Sequence, residues 1–358
     1  MNAPFRPALL RVAEAELADP GELRRIEGFV AEHPEGTPFH RPAWLLAAAR
    51  GTGNRALGLV AERGGELQAW LPLLEVHSPL FGRVLSSSGF GVGGGLLATD
   101  SKTAKPIFTA LEELAQRRSC PAIELRGGLL PTRRAGWAIK QDSHCGFVLP
   151  LAIDDEAQLT SIPRKQRAEV RKGVANELEV TVGVSARDRA AHYAVYAESV
   201  RNLGTPVFPK ALFAQVLDAF GDAADILTVW SHGVPVASVL SLYHQGAVMP
   251  YWGGGTTAAR RLRANDRMYF ELMLHARRRG CDAFDFGRSK THSGAYDFKR
   301  NWGFEPAPLS YAQWTAPGAA ARDADPTSAK HTARIALWKR LPLPLANLIG
   351  PYIARGLG

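Results

Sequence analysis

The chain has 358 residues, with 43 Lys and Arg against 34 Asp and Glu for a formal net charge of +9. That length accommodates two domains of ordinary size, each able to bury its own core. The basic excess suits an anionic partner, whether nucleic acid, a phospholipid surface or a phosphorylated substrate. The three cysteines, Cys120, Cys145 and Cys281, show no CxxC spacing and suggest neither a disulfide framework nor a thiolate zinc site. No basic region followed by a long apolar run opens the chain, and no stretch of roughly 20 uninterrupted apolar residues occurs. A cytoplasmic location is the expectation.

In chain order, "ALGLVAE", a Gly64-Gly65 turn, "ELQAWLPLLEV" and "RVLSSSGF" read as an antiparallel meander. Gly91–Gly95 and a helix carrying Ile107, Leu111 and Leu114 follow, then a strand through Ile123–Leu125. "IPRKQRAEVRKG", Ile162–Gly173, reads as a very basic helix. A second meander follows: "DILTVWS", a His232-Gly233 turn, "VPVASVLSLYH", a Gln245-Gly246 turn and "AVMPYW". A glycine-rich turn at Gly253–Gly255 leads to a helix over Asp266–Arg279, capped by Asp266 and stopped by Gly280. The next strand runs through Phe284–Phe286. The same succession thus occurs twice, and "RRSCPAIELR" at Arg117–Arg126 resembles "RRGCDAFDFG" at Arg278–Gly287. We expect two mixed α/β domains at 1–150 and 151–314, a linker at 315–332, and a basic amphipathic tail at 333–358 whose prolines forbid one long helix.

The segment "CDAFDFGRSKTHSGAYDFKRNWGFEP", Cys281–Pro306, gathers a strand-end carboxylate, a glycine turn, basic side chains and aromatic rings. A pocket for a polar, anionic substrate needs that mixture. Alternation places Asp285 opposite Phe284 and Phe286. There it orients a cation, accepts a proton, or makes an ion pair that fixes the turn. Arg288, Ser289 and Lys290 suit phosphate or carboxylate. Tyr296 suits stacking on a sugar or base, whereas Trp302 reads as core. "GFGVGGG" contains a formal GxGxxG at Gly89, Gly91 and Gly94, but no helix opens at its end, so a structural turn is the better reading. The histidines form no HxxxH or HExxH pair, so no metal site is expected.

The meander, polar turn and helix followed by "FDFGRS" and "GAYDFKRNWGFEP" resemble the FemAB-like branch of the GNAT superfamily, whose peptidoglycan-building members carry two GNAT-like domains. "IPRKQRAEVRKG", "YAESVRNLGTPVFPK", "PYWGGGT" and the ending "WKRLPLPLANLIGPYIARGLG" are similar to the subgroup associated with exosortase (PEP-CTERM) and exopolysaccharide loci. The resemblance implies two tandem GNAT-like acyltransferase domains with a C-terminal amphipathic tail. It also implies acyl or aminoacyl transfer to an amine of a lipid- or nucleotide-linked saccharide precursor. The donor is acyl-CoA or aminoacyl-tRNA, with no tightly bound cofactor and no DNA partner. The GNAT pyrophosphate signature is missing, its place taken by "GGGTTAARRLRAND".

By the same resemblance, Lys299 of "DFKRNWG" is the catalytic cation beside Asp285. Asn202, Thr205 and Phe208 of "RNLGTPVFPK" wrap the acceptor, where a packed loop is the alternative. Tyr251 and Trp252 line the same cleft. Arg164, Lys165, Arg167, Arg171 and Lys172 guide tRNA or a lipid diphosphate, where a solvated face is the alternative. The tail is expected to meet the inner face of the membrane through Trp338, Leu341, Leu348 and Ile349. The competing reading from another class is a GNAT fold that has lost catalysis and binds an envelope precursor or an assembly partner.

Overall fold

The computed structural model describes residues 8–320, 322 and 332–358. Much of the expected linker, residues 321 and 323–331, lies outside the described residues. Two compact units divide the chain: unit 1 is Met1–Lys140, Ser310–Asp323 and Gly356–Gly358, and unit 2 is Gln141–Leu309 and Ala324–Arg355.

Unit 1 contains β1 (Leu10–Glu14), α1 (Pro20–Glu32), α2 (Pro42–Thr52), β2 (Arg55–Arg63), β3 (Glu66–Ser78), β4 (Gly82–Ser87), β5 (Leu97–Ala98), α3 (Ser101–Arg117) and β6 (Ala122–Arg126). The expected meander is β2-β3-β4, and its first hairpin closes on Gly64 and Gly65, both at positive φ. β1 pairs antiparallel with β2. β6 lies parallel to β4 over only two register pairs, Leu85–Ile123 and Ser86–Glu124. α3 starts where Asp100 accepts a hydrogen bond from Thr103 N at 2.8 Å, and it buries Ile107, Phe108, Leu111 and Leu114 against the sheet.

The chain enters unit 2 through β7 (Trp137–Gly146), followed by β8 (Val148–Pro150), α4 (Asp155–Ser161), α5 (Arg164–Ala175), β9 (Glu179–Gly183), α6 (Ala186–Leu203) and α7 (Lys210–Phe220). Then come β10 (Ala224–Ser231), β11 (Val234–His244), β12 (Ala247–Gly255), α8 (Ala259–Leu262), α9 (Ala264–Arg278), β13 (Ala283–Asp285), β14 (Ser289–Lys290) and α10 (Gly294–Asn301). β15 (Ala307–Thr315), α11 (Thr332–Arg340) and α12 (Leu343–Ala354) complete the chain. The sheet order is β8-β13-β12-β11-β10-β9, antiparallel except where β13 meets β12 over Ala247–Ala283 and Val248–Phe284. Both hairpins of β10-β11-β12 turn on a left-handed residue pair, His232-Gly233 and Gln245-Gly246.

The duplication is therefore structural. Unit 1 repeats the sequence of pairings as β1-β2-β3-β4-β6-β15. The closing strand of unit 1, β15, comes late in the chain, whereas that of unit 2, β8, precedes the rest of its sheet. Unit 2 accordingly begins at Gln141 rather than at residue 151, and residues 310–314 belong to unit 1.

Two local expectations change. Gly253–Gly255 do not form a turn; they finish β12, paired with Val239, Ser238 and Ala237. A Cβ on Gly254 would lie 2.3 Å from Ser199 Oγ, so close approach of α6 demands glycine there. α9 begins before Asp266, with Arg263 at its N-cap in the left-handed region, φ 54°. Asp266 instead sits in the first turn and accepts from Gln166 Nε2 at 2.6 Å.

Candidate active site

β13 carries Phe284 into the core and leaves Asp285 at its end, where the carboxylate accepts from Gly287 N at 2.8 Å and tightens the turn. Ser293 caps α10 by accepting from Tyr296 N at 3.2 Å. The helix then swings Lys299 back over that turn. Lys299 is 8% exposed, donates to Gly287 O at 3.1 Å and Arg288 O at 2.9 Å, and stands 5.3 Å and 5.4 Å from the ring centroids of Phe147 and Phe286. It is not a solvated surface lysine. Burial pushes its pKa down to about 7, with Arg288 adding to the shift and Asp285 opposing it. Burial pushes the Asp285 carboxyl up, against the pull of Gly287 N–H and Lys299.

Phe298, Arg300 and Asn301 line a cavity of about 700 Å³ in unit 2, completed by α5, by α8 and by the start of α9. Its wall sets Lys165, Arg260, Arg263 and Arg300 against Glu169 and Asp266. Arg263 Nε lies 2.6 Å from Glu169 Oε2, which holds a bulky side chain in a backbone region that L-residues avoid. Burial raises the pKa of Asp266, with Gln166 and Arg263 opposing. The excess of guanidinium and ammonium groups over carboxylates, in a cleft of small-molecule size, suits a phosphate-bearing ligand.

The sequence-derived residues fall into three places. Asp285, Arg288 and Lys299 surround one turn, with the Tyr296 ring edge-on to Phe147 at 5.5 Å beside it. Ser289 belongs to that turn by sequence only: its Oγ is buried and makes no hydrogen bond, and the residue pairs with Cys145 across β7. Lys290 pairs with His144 in the same ladder.

Around the end of β12, Trp252 is 4% exposed and packs 4.7 Å from Phe213 and 6.2 Å from Phe208, so it is core and not a cleft wall. Tyr251 is the additional residue of a β-bulge, since the β11–β12 register passes from Leu240–Trp252 to Ser241–Pro250. Asn202 Nδ2 donates to Thr257 Oγ1 at 3.3 Å, and Thr205 N closes the end of α6 on Val200 O at 2.9 Å behind Gly204. Both contacts hold the loop in place.

On α5, Lys165 reaches the cavity. Arg167 donates to Thr160 O at 2.9 Å, Lys172 pairs with Glu169 at 2.8 Å, and Arg164 and Arg171 are exposed. Arg260, Arg263 and Arg300 join Lys165 in carrying the cavity's positive charge. Their signal stood in the sequence as the basic run "ARRLRAND" in place of the expected signature, and as the residue after Lys299.

Aligning Cys120 with Cys281 places Glu124 of unit 1 opposite Asp285. Glu124 is fully engaged: Arg322 donates at 2.7 Å and Arg126 at 3.3 Å. Burial would raise its pKa, but the two guanidinium groups overcome that and hold it below the usual carboxylate range. The same arginines bind Gly356 O, Leu357 O and Gly358 O, so this corner of unit 1 is filled by the chain itself. Among the described residues, no group of three or more His, Cys, Asp or Glu side chains could hold a metal ion.

Residues 161–300 match the family of acetyltransferase (GNAT) domains. The matched stretch lies within unit 2. The chain as a whole has a tandem GNAT fold. Similar solved structures include FemX (15% identity, TM-score 0.62, covering 80% of this chain and 95% of that one). They also include a tandem GNAT protein from the clavulanic acid biosynthesis pathway (11% identity, TM-score 0.59, 87% and 100%). A third is the C-terminal domain of a putative lysylphosphatidylglycerol synthetase from Agrobacterium fabrum (13% identity, TM-score 0.55, 88% and 94%). No curated protein matches the chain by sequence. The GNAT domain match supports acyl transfer as the class of chemistry.

Proposed function

We propose that the protein is an N-acyltransferase or aminoacyltransferase of the FemAB-like kind. It takes its acyl group from a phosphate-bearing carrier held at the Arg260, Arg263 and Arg300 cavity and passes it to an amine of a cell-envelope precursor. The observation that carries this reading is Lys299, buried on the same short helix that lines the cavity and titrating near neutrality. A neutral lysine amine keeps two N–H donors and one lone pair. The donors match Gly287 O and Arg288 O, which leaves the lone pair to accept a proton.

The acceptor amine attacks the acyl carbonyl, a C–N bond forms and the C–S or C–O bond to the carrier breaks. Lys299 receives the proton shed by the amine and returns it to the leaving group. Asp285 acts as the positioning residue: by clamping Gly287 it sets the carbonyls that orient Lys299. Arg288 lies beside this turn, and Tyr296 forms its wall. The two carrier classes that suit the cavity are acyl-CoA and aminoacyl-tRNA. Guanidinium groups rather than the missing loop signature would hold the phosphates of either. The lysylphosphatidylglycerol synthetase among the fold neighbours and the exosortase-type motifs both favour an envelope acceptor, a peptidoglycan or exopolysaccharide precursor.

The test is a transfer assay with labelled acyl-CoA and labelled aminoacyl-tRNA against amine-bearing lipid-linked and nucleotide-linked saccharides. Lys299→Met is expected to lower kcat by roughly 10²–10⁴ with little change in KM. Full turnover in that variant would refute the assigned site. Tight precursor binding without turnover from either donor would favour a non-catalytic binding protein.

A further inference from the structure

We infer that α11 and α12 form a docking surface for an anionic phospholipid bilayer, an inference independent of the acyl-transfer reading. α12 buries Ala346, Gly350 and Ala354, spaced four apart on one face. A Cβ on Gly350 would lie 3.1 Å from Val207 N, so this face of small residues seats the helix closely on the segment after α6. The opposite face is thereby turned outward. On it Leu345, Leu348 and Tyr352 are 43%, 66% and 69% exposed, spaced three and four apart. Leu337 of α11 and Leu203 at the end of α6 are 66% and 69% exposed. The α11 helix is tied to α6 where Arg201 Nη1 donates to Lys339 O at 3.2 Å and Ile335 meets Gly204.

The side-chain charge that α11 and α12 contribute to this apolar stripe has one sign. Lys339, Arg340 and Arg355 are exposed, and residues 332–358 contain no Asp or Glu. The Arg355 guanidinium stands 5.6 Å from the Tyr352 ring, which places a cation at the edge of the apolar face. A second copy of the same surface would bring like charges together without a counter-charge, whereas anionic headgroups over acyl chains match both features.

Neither helix spans a bilayer. α12 has 12 residues, and no helix among the described residues is long and apolar enough to cross a membrane. Contact therefore means lying in the interface plane. Of the residues expected from sequence, only Leu348 belongs to the exposed stripe; Trp338, Leu341 and Ile349 are partly buried, and Leu337, Leu345 and Tyr352 take their place.

The experiment is co-sedimentation of the full chain with vesicles of phosphatidylglycerol and phosphatidylcholine, and with vesicles of phosphatidylcholine alone. Wild type should bind the anionic vesicles only. Leu348→Glu with Tyr352→Glu should abolish binding, and Lys339→Glu with Arg340→Glu should weaken it by tenfold or more, since each cation near an anionic surface contributes about fivefold. Thermal melting of all variants should match wild type because the altered side chains are exposed. Absence of binding to anionic vesicles by folded wild type would overturn the proposal. So would binding that survives the Leu348 and Tyr352 changes. A wild-type dimer in size-exclusion chromatography that Leu348→Glu dissociates, without vesicle binding, would reassign the face to self-association.

Discussion

Lys299 joins two observations at one atom: a side chain held by two carbonyls beneath aromatic rings, and a pKa near 7 caused mainly by burial. That pairing has a consequence for stability that needs no substrate. The unfolded chain keeps this lysine protonated up to about 10.5. Between about 7 and 10.5 the unfolded state therefore binds more protons than the folded one, and stability rises with pH. Denaturant unfolding across that window should show a Lys299 contribution approaching 1.4 kcal/mol per pH unit. Lys299→Met should remove it, and a variant with an unchanged slope would mean that the lysine is charged and hydrated in the fold. Lys299 and Asp285 were legible because a glycine turn, a strand-end carboxylate and an aromatic-rich helix crowd into one segment. Ser289 and Trp252 were not, since burial of Ser289 in the β7 ladder and of Trp252 against Phe213 arises from residues distant in the chain.

Among the elements, α5 and α9 frame the cavity, and one glycine sets their approach. A Cβ on Gly173 would lie 2.7 Å from Arg263 O, a backbone atom with no rotamer to retreat into. Arg263 is already left-handed at the N-cap of α9, a strain of order 1–3 kcal/mol that its ion pair with Glu169 helps to hold. Gly173→Ala should cost about 1–3 kcal/mol in denaturant unfolding. It should also weaken binding of a phosphate-bearing ligand by displacing Arg263; unchanged stability would show that the helices part easily. The hairpins of both meanders were legible because residue pairs such as His232-Gly233 and Gln245-Gly246 mark two-residue turns. The start of α9 was not, because Asp266 looks like a cap while the backbone places Arg263 there.

At the scale of the whole molecule, the chain contains one fold twice with two different outcomes. In unit 2 the strand-end carboxylate Asp285 stands beside a buried lysine. In unit 1 its counterpart Glu124 is neutralised by Arg126 and Arg322, and the last residues of the chain fill that corner. The duplication was legible from the repeated "RRxCxA" segment and the repeated meander. The exchange of closing strands was not, because β8 has three residues and β15 carries no marker of the sheet it joins. On the strength of this asymmetry the proposed donor site is placed in unit 2. The direct test is calorimetric titration of the full chain with acetyl-CoA and with aminoacyl-tRNA, comparing wild type with Arg260→Ala plus Arg300→Ala at two salt concentrations. One of the two carriers should bind wild type with an affinity that falls as salt rises, and the double variant should lose at least tenfold. Binding of neither carrier, or equal binding by the double variant, would contradict the assignment of that cavity to the acyl donor.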